Sequence, residues 1–193
     1  MCIAIVIPKG ATVNKDYLHN GWCANSDGGG FAYVRKGKVK IVKSLMKWKT
    51  WEDAYYTARE ANPDSPFLVH FRIRSAGSNT ADNTHPYALK TGAVIHNGTL
   101  TGSGADWYRG PSDTAKFVEK FGEHLTYDNV LSKKLAMEAA IGYNKLAFLF
   151  NNGKFVIVNE DAGRWDAGVW YSNGSFLTNT VVGPYGGHTR CDY

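Results

Sequence analysis

The sequence has no long apolar run. Its N-terminal apolar run covers only residues 3–7, which is shorter than the hydrophobic region of a signal peptide. It is also far shorter than the roughly 20 residues of a membrane-spanning helix. We therefore expect a cytoplasmic protein that does not associate with a membrane.

Cysteine is also scarce, and the three cysteines Cys2, Cys23 and Cys191 include no Cys-x-x-Cys pair. An odd number without that spacing argues against a disulfide framework and against a structural zinc site. The spacing of His70, His85 and His96 matches no zinc-ligand motif either. We expect neither a metal nor a cofactor.

Apolar residues make up 44% of the 193-residue chain and aromatic residues 13%. This composition is typical of a globular protein with a sizeable core rather than of a disordered chain. The length fits a single domain over residues 1–193, with two small domains as the alternative.

The net charge of +5 is concentrated in one segment without acidic residues, at 35–49. Its basic residues are Arg35, Lys36, Lys38, Lys40, Lys43, Lys47 and Lys49. Alternation with apolar residues at 37–41 predicts a strand with one wet face, and the simplest interpretation is a solvated sheet edge. The alternative is a docking surface for nucleic acid or an acidic protein partner.

Hydrophobic periodicity predicts an α+β fold. Helical spacing covers 49–62, 112–125 and 129–141, whereas strand patterns cover 2–7, 30–35, 38–44, 66–73 and 92–97. Asn-Gly pairs at 152–153 and 173–174 predict two β-hairpins. These elements fit two packed sheets flanked by helices, or one mixed sheet.

Four short patches contain residues suited to catalysis. Cys2 would combine a thiol with a free amine if Met1 is removed, or it is merely a small residue at the chain end. Arg72 and Arg74 in "HFRIRSAG" suit a carboxylate, or they are surface residues at a strand end. Asn97 and Gly98 suit an oxyanion hole, or they form a turn.

The fourth patch, "SDT" at 112–114, opens a predicted helix. Ser112 or Asp113 is an ordinary helix cap there. The Asp113 carboxylate also suits an ammonium group.

Taken in order, these patches resemble a known family. The second-position cysteine, "HFRIRSAG", "NTHPY", "HNG" and "SDT" are similar to motifs of the glutaminase domain of class II glutamine amidotransferases. The stretch "NSDGGGFAY" resembles the glycine-rich segment of that family. The resemblance runs from Cys2 to about Leu125. It implies a four-layer αββα sandwich of two mostly antiparallel sheets, as in the N-terminal-nucleophile hydrolases.

The resemblance also implies roles for individual residues. Cys2 would be the nucleophile after loss of Met1, with the Asn97 side chain and the Gly98 N–H as the oxyanion hole. In substrate binding, Arg72 would hold the α-carboxylate and Asp113 the α-ammonium group. Ser75 would lie beside the substrate, at a position where the family usually has threonine. Arg74 would be a fourth residue of the binding site. Ile73 and Arg74 depart from the family pattern, in which an aromatic residue and then Ala or Pro often follow the arginine.

The implied function is that of a stand-alone glutaminase that releases ammonia from glutamine through a Cys2 thioester. A separate enzyme would then accept the ammonia. Two alternatives remain: a γ-glutamyl hydrolase that acts on a small metabolite, and a catalytically silent domain that binds an acidic partner through residues 35–49.

Overall fold

The computed structural model describes residues 2–74, 77–78, 80–106, 109–177, 180–182 and 188–190. The α-helices in these ranges are α1 (Lys15–Ala24), α2 (Trp48–Ala61), α3 (Asp113–Phe121), α4 (Tyr127–Ser132) and α5 (Lys134–Ile141). The first six strands are β1 (Ile3–Ile7), β2 (Gly29–Arg35), β3 (Lys38–Leu45), β4 (Phe67–Phe71), β5 (Tyr87–Leu89) and β6 (Gly92–Asn97). The others are β7 (Lys145–Phe150), β8 (Phe155–Val158), β9 (Arg164–Asp166), β10 (Val169–Tyr171), β11 (Thr180–Val182) and β12 (His188–Arg190).

The strands form two main sheets in which neighbours run antiparallel. The first sheet has the order β3-β2-β4-β1-β10-β9, the second has the order β5-β6-β7-β8, and β11 pairs with β12 separately. The chain is therefore an α+β protein with two antiparallel sheets, as the sequence predicted. No helix in the described ranges is both long and apolar enough to cross a membrane.

Buried strand residues divide between the two faces of the first sheet. On β1, Ile3, Ile5 and Ile7 pack toward α1 and α2, whereas Ala4 and Val6 pack against the second sheet. Because successive side chains of a strand point to opposite faces, a strand covered on both faces is apolar throughout. The run at 3–7 therefore serves two cores at once.

The core between the sheets is built largely from small and branched residues. Ala4, Ala32 and Leu68 of the first sheet meet Ala93 and Ala147 of the second. A third core lies on the outer face of the second sheet, where residues of α3, α4 and α5 cover it.

Several predicted elements need correction. The helix predicted over 129–141 is interrupted at Lys133, which separates α4 from α5. The hairpin predicted around Asn173-Gly174 is wrong, because β10 pairs with the preceding β9 through a turn at Ala167-Gly168. The sequence analysis also missed α1, whose N-cap Asn14 accepts a hydrogen bond from Asp16 N.

Candidate active site

Three strand ends and one helix start bring the candidate residues together. In the antiparallel pair β1–β4, Ile3 lies opposite Phe71. This register places Cys2, just before β1, beside Arg72, just after β4. Asn97 is the last residue of β6, and Asp113 is the first of α3.

The Cys2 thiol lies against the backbone that follows β4. Its Sγ donates to the Ile73 carbonyl oxygen over 3.2 Å and accepts from the Ile73 N–H over 3.4 Å. Burial raises the pKa of the Cys2 thiol, while the Ile73 hydrogen bond and the Arg72 charge oppose that rise. The thiol is therefore protonated at neutral pH and needs a base to become a nucleophile.

Two asparagine side chains hold the backbone carbonyl of Cys2. Asn97 Nδ2 donates to this oxygen, and Asn173 Nδ2 donates to it over 2.7 Å. An amide NH2 group has two protons, so Asn97 keeps one that is not committed to this bond. Asn173 was not a candidate in the sequence, where its Ser-Asn-Gly context matches an ordinary turn.

Gly98 can only be a glycine in this backbone conformation. Its φ is +134°, and a Cβ at this position would collide with the Asn144 side chain. Asn144 is itself fixed, because His96 Nε2 lies 2.9 Å from its Oδ1 and its Nδ2 donates to the Ile141 carbonyl. The backbone after β6 is thus set by side chains packed behind it.

Arg72 is only 3% exposed. Its N–H donates to Gly28 O and its carbonyl oxygen accepts from Asp27 N, both over 2.8 Å, so the glycine-rich segment fixes this backbone. Its Nη2 donates to Ser78 O over 3.2 Å. A guanidinium is permanently charged and has five N–H donors, so a buried one suits a carboxylate ligand.

Asp113 is buried at the start of α3, where the ordinary capping role belongs to its neighbour. Ser112 Oγ accepts from Ala115 N as the N-cap. Asp113 Oδ2 accepts from Leu100 N over 2.7 Å, and Oδ1 accepts from Thr114 N over 2.8 Å. The carboxylate is therefore oriented from both sides and offers negative charge to the site.

Four of the predicted site residues line one small cavity. Its walls are formed by Cys2, Arg72, Ile73, His85, His96, Gly98, Ser112, Asp113 and Thr114. Its volume of about 20 Å³ holds a single water molecule. A free amino acid is larger than this cavity.

Three buried histidines lie behind the cavity. The rings of His70 and His85 stack at 4.0 Å between centroids, and His85 Nδ1 accepts from His96 N over 3.2 Å. Burial lowers all three pKa values, that of His70 to about 3. They are neutral at physiological pH, and His70 Nε2 must donate to the His96 carbonyl oxygen 2.9 Å away.

These histidines act as packed hydrogen-bonding groups. No cluster of three metal-ligating side chains occurs in the described ranges. His96 Nδ1 lies 2.8 Å from Thr114 Oγ1, so His96 connects the start of α3 to Asn144 behind Gly98. The sequence analysis argued from their spacing against metal ligation and gave these histidines no individual role, and their burial indicates a role in packing.

The outcome differs for the two remaining residues that were predicted to bind substrate, Ser75 and Arg74. Ser75 is outside the described residues. The Arg74 side chain is exposed and does not line the cavity, while its N–H donates to Asp27 Oδ2 over 2.8 Å.

Cys23 and the basic segment at 35–49 lie outside the candidate site. Cys23 is in a disulfide, so the expectation of no disulfide is wrong there, whereas Cys2 is a free thiol. The basic segment follows β2 into β3, which is an edge strand as predicted, with Lys38 and Lys40 exposed.

Comparison with known proteins gives little further identification. No protein-family model matches the chain. The chain is 31% identical over 110 residues to an uncharacterized protein of Methanocaldococcus jannaschii, and the match covers 53% of this chain. The same match covers 31% of the archaeal protein, so the chain spans about a third of the length of the relative it matches.

Proposed function

We propose that this chain is a glutaminase of the class II amidotransferase type with an N-terminal cysteine nucleophile. The main support is that Cys2, Arg72, Gly98 and Asp113 line one cavity while Asn97 binds the Cys2 backbone. These residues come from separate parts of the sequence, and the proposed reaction requires all of them. The two packed sheets with outer helices are compatible with the four-layer αββα sandwich of N-terminal-nucleophile hydrolases.

Substrate recognition would depend on the two buried charges. Arg72 would bind the α-carboxylate of glutamine, and Asp113 would bind its α-ammonium group. A charge-assisted hydrogen bond of this kind contributes about 1.5–3 kcal/mol. The two contacts together would distinguish a free amino acid from a glutamine residue within a protein.

The chemical step begins with proton transfer within Cys2. After removal of Met1, the free α-amine takes the thiol proton as the sulfur attacks the side-chain amide carbon of glutamine. An ordinary thiol pKa of about 8.5 lies close to an α-amine pKa of about 7.7–8.0. Burial raises the pKa of the Cys2 thiol and makes the transfer less favourable, while the Ile73 hydrogen bond and the Arg72 charge oppose that rise. The C=O π electrons move to oxygen and form a tetrahedral oxyanion.

Asn97 Nδ2–H and the Gly98 N–H would stabilise that oxyanion. The intermediate collapses with loss of ammonia, which takes its proton from the Cys2 ammonium group, and a thioester remains. Water then attacks the thioester carbon while the α-amine takes one of its protons. The C–S bond of the resulting tetrahedral intermediate breaks and releases glutamic acid, which loses its proton to solvent. The Cys2 sulfur takes a proton back from the ammonium group, which regenerates the thiol and the free amine. The ammonia would pass to a separate acceptor enzyme or to solution.

The test compares two forms of the protein that differ only in Met1, each confirmed by intact mass. We expect ammonia release from glutamine by the form that begins at Cys2 and almost none by the form that retains Met1, because an amide nitrogen is not a base near neutral pH. Cys2→Ala in the trimmed form is the control for contaminating activity.

Three results would contradict this proposal in different ways. Equal activity of both forms would remove the α-amine from the mechanism. Activity on γ-glutamyl compounds but not on glutamine would change the substrate. No activity on either class by the trimmed form would exclude the proposed enzyme and leave the binding-domain alternative.

A further inference from the structure

A mainly apolar cavity lies outside the candidate active site. It is bounded by the loop at 100–103 and by helices α3, α4 and α5, and its volume is about 490 Å³. This volume is within the range of pockets that bind small molecules. Its apolar walls are formed by Leu100, Phe117, Phe121, Leu125, Met137 and Ile141.

The apolar walls are the outer edge of the core beneath the helices. Phe117, Leu125, Met137 and Ile141 pack against that core but remain only partly buried. Phe121 at the rim is 42% exposed. The helices thus leave part of their apolar faces uncovered around a concave space.

The charged lining of the cavity is entirely basic. Lys116, Lys120, His124 and Lys133 contribute to its walls, and no acidic side chain does so within the described residues. None of the three lysines forms an ion pair in the described ranges, and Lys116 Nζ binds only the Gly104 carbonyl oxygen there. An apolar interior with a cationic rim matches a ligand that has an apolar body and an anionic head.

We propose that this cavity binds a small amphipathic anion, such as a medium-chain carboxylate. The apolar chain lies against Phe117, Met137 and Ile141, and the anionic head lies near Lys116 and Lys120. Leu100 also lines the cavity, and its N–H holds Asp113 Oδ2. A bound ligand therefore contacts the loop that orients the Asp113 carboxylate.

The experiment measures binding directly, so it does not depend on the proposed reaction. Calorimetric titration compares decanoate with decyltrimethylammonium, which has the same chain length and the opposite charge, below their micellar concentrations. We expect saturable 1:1 binding of decanoate and at least tenfold weaker binding of the cation. Similar affinities for both would overturn the proposal, because the basic rim would then play no part.

Variants locate the ligand. Ala140→Trp fills the cavity from the exposed side of α5 and should weaken decanoate binding at least tenfold. The double variant Lys116→Met and Lys120→Met keeps the apolar stems and should weaken it about three- to tenfold, as expected for two exposed charge contacts. The matched control is Lys36→Met with Lys38→Met, on the remote β2–β3 hairpin, which should change nothing.

Circular dichroism and melting temperature establish that each variant is folded. Decanoate binding that Ala140→Trp leaves intact would place the ligand elsewhere and overturn the proposal. Analytical ultracentrifugation tests whether a second copy of the chain, rather than a small ligand, occupies the cavity. Self-association that Ala140→Trp abolishes, without decanoate binding to the parent protein, would identify an interface between copies and would also overturn it.

Discussion

Asn97 and Asn173 provide a controlled test of the proposed oxyanion hole. Both side chains donate to the carbonyl oxygen of Cys2. Only Asn97 is proposed to donate its second N–H to the reacting oxygen. Replacing each by alanine removes a similar bond to Cys2, so the difference between the two variants isolates the oxyanion contact.

The two expected losses differ in size. Loss of one neutral hydrogen bond that positions Cys2 costs about 0.5–1.5 kcal/mol, which corresponds to roughly a 2- to 13-fold decrease in rate. We expect this decrease for Asn173→Ala. Loss of an oxyanion donor typically lowers kcat by about 10²–10³, so Asn97→Ala should lose at least tenfold more than Asn173→Ala.

The assay is steady-state ammonia release from glutamine by the trimmed protein. We expect Asn97→Ala to lower kcat with little change in KM, because the oxyanion exists only near the transition state. Melting temperatures within a few degrees of the parent would show that both variants are folded. Equal losses in kcat for the two variants would mean that Asn97 only positions Cys2, and an effect on KM alone would contradict its proposed role.

Three further predictions concern the charges and the backbone of the site. Arg72→Ala and Asp113→Ala should each raise KM for glutamine about 10- to 150-fold by steady-state kinetics, from loss of a charged hydrogen bond. Gly98→Ala should lower thermal stability and activity together, because its φ is +134° and a Cβ meets Asn144. In urea titrations, the free energy of unfolding should fall below about pH 6.5 by about 1.4 kcal/mol per pH unit for His70, whose native pKa is about 3, and His70→Gln should reduce that slope.

The sign of the pH effect follows from which state binds the proton. His70 is buried and neutral in the folded protein, while in the unfolded chain its pKa returns to about 6.5. Its contribution to stability is therefore complete above pH 6.5 and is lost as the pH falls toward about 3. If His70→Gln leaves the pH dependence of the free energy of unfolding unchanged, then folding does not lower the pKa of His70.

Local sequence patterns predicted most of the long elements. The strands β1, β2, β3, β4 and β6, the hairpin of β7 and β8, and helices α2 and α3 lie where the periodicity indicated. Helix α1 was missed because it contains Gly21 and little apolar periodicity, and glycine costs about 1 kcal/mol in a helix. The structure explains that glycine: a Cβ there would lie 3.3 Å from the Phe71 ring. Close packing between layers, which no local pattern records, favours glycine at this position.

The candidate site, like the fold, could be predicted only in part from local sequence. Cys2, Arg72, Asn97 and Asp113 were identifiable because each belongs to a short motif with a chemical reason for its residue types. The meeting of Cys2, Arg72 and Asp113 in one cavity depends on the tertiary fold. Strand register contributes, since the β1–β4 pairing brings position 2 beside position 72. That pairing joins segments about 70 residues apart, and only the folded chain reveals it.

Asn173 shows why some site residues cannot be read from sequence. Its Asn-Gly pair is the same signal that correctly predicts the turn at 152–153, so the local sequence favours a hairpin. The structure places it two residues after β10, the strand that pairs with β1, and its amide donates to the Cys2 carbonyl oxygen over 2.7 Å. Asn173 also acts locally, since its Oδ1 accepts from Ser175 N over 3.0 Å. The local sequence records that turn contact, whereas the contact with Cys2 depends on the neighbouring strand. The paired comparison of Asn97→Ala with Asn173→Ala therefore also tests whether a residue with no sequence signal contributes to the site.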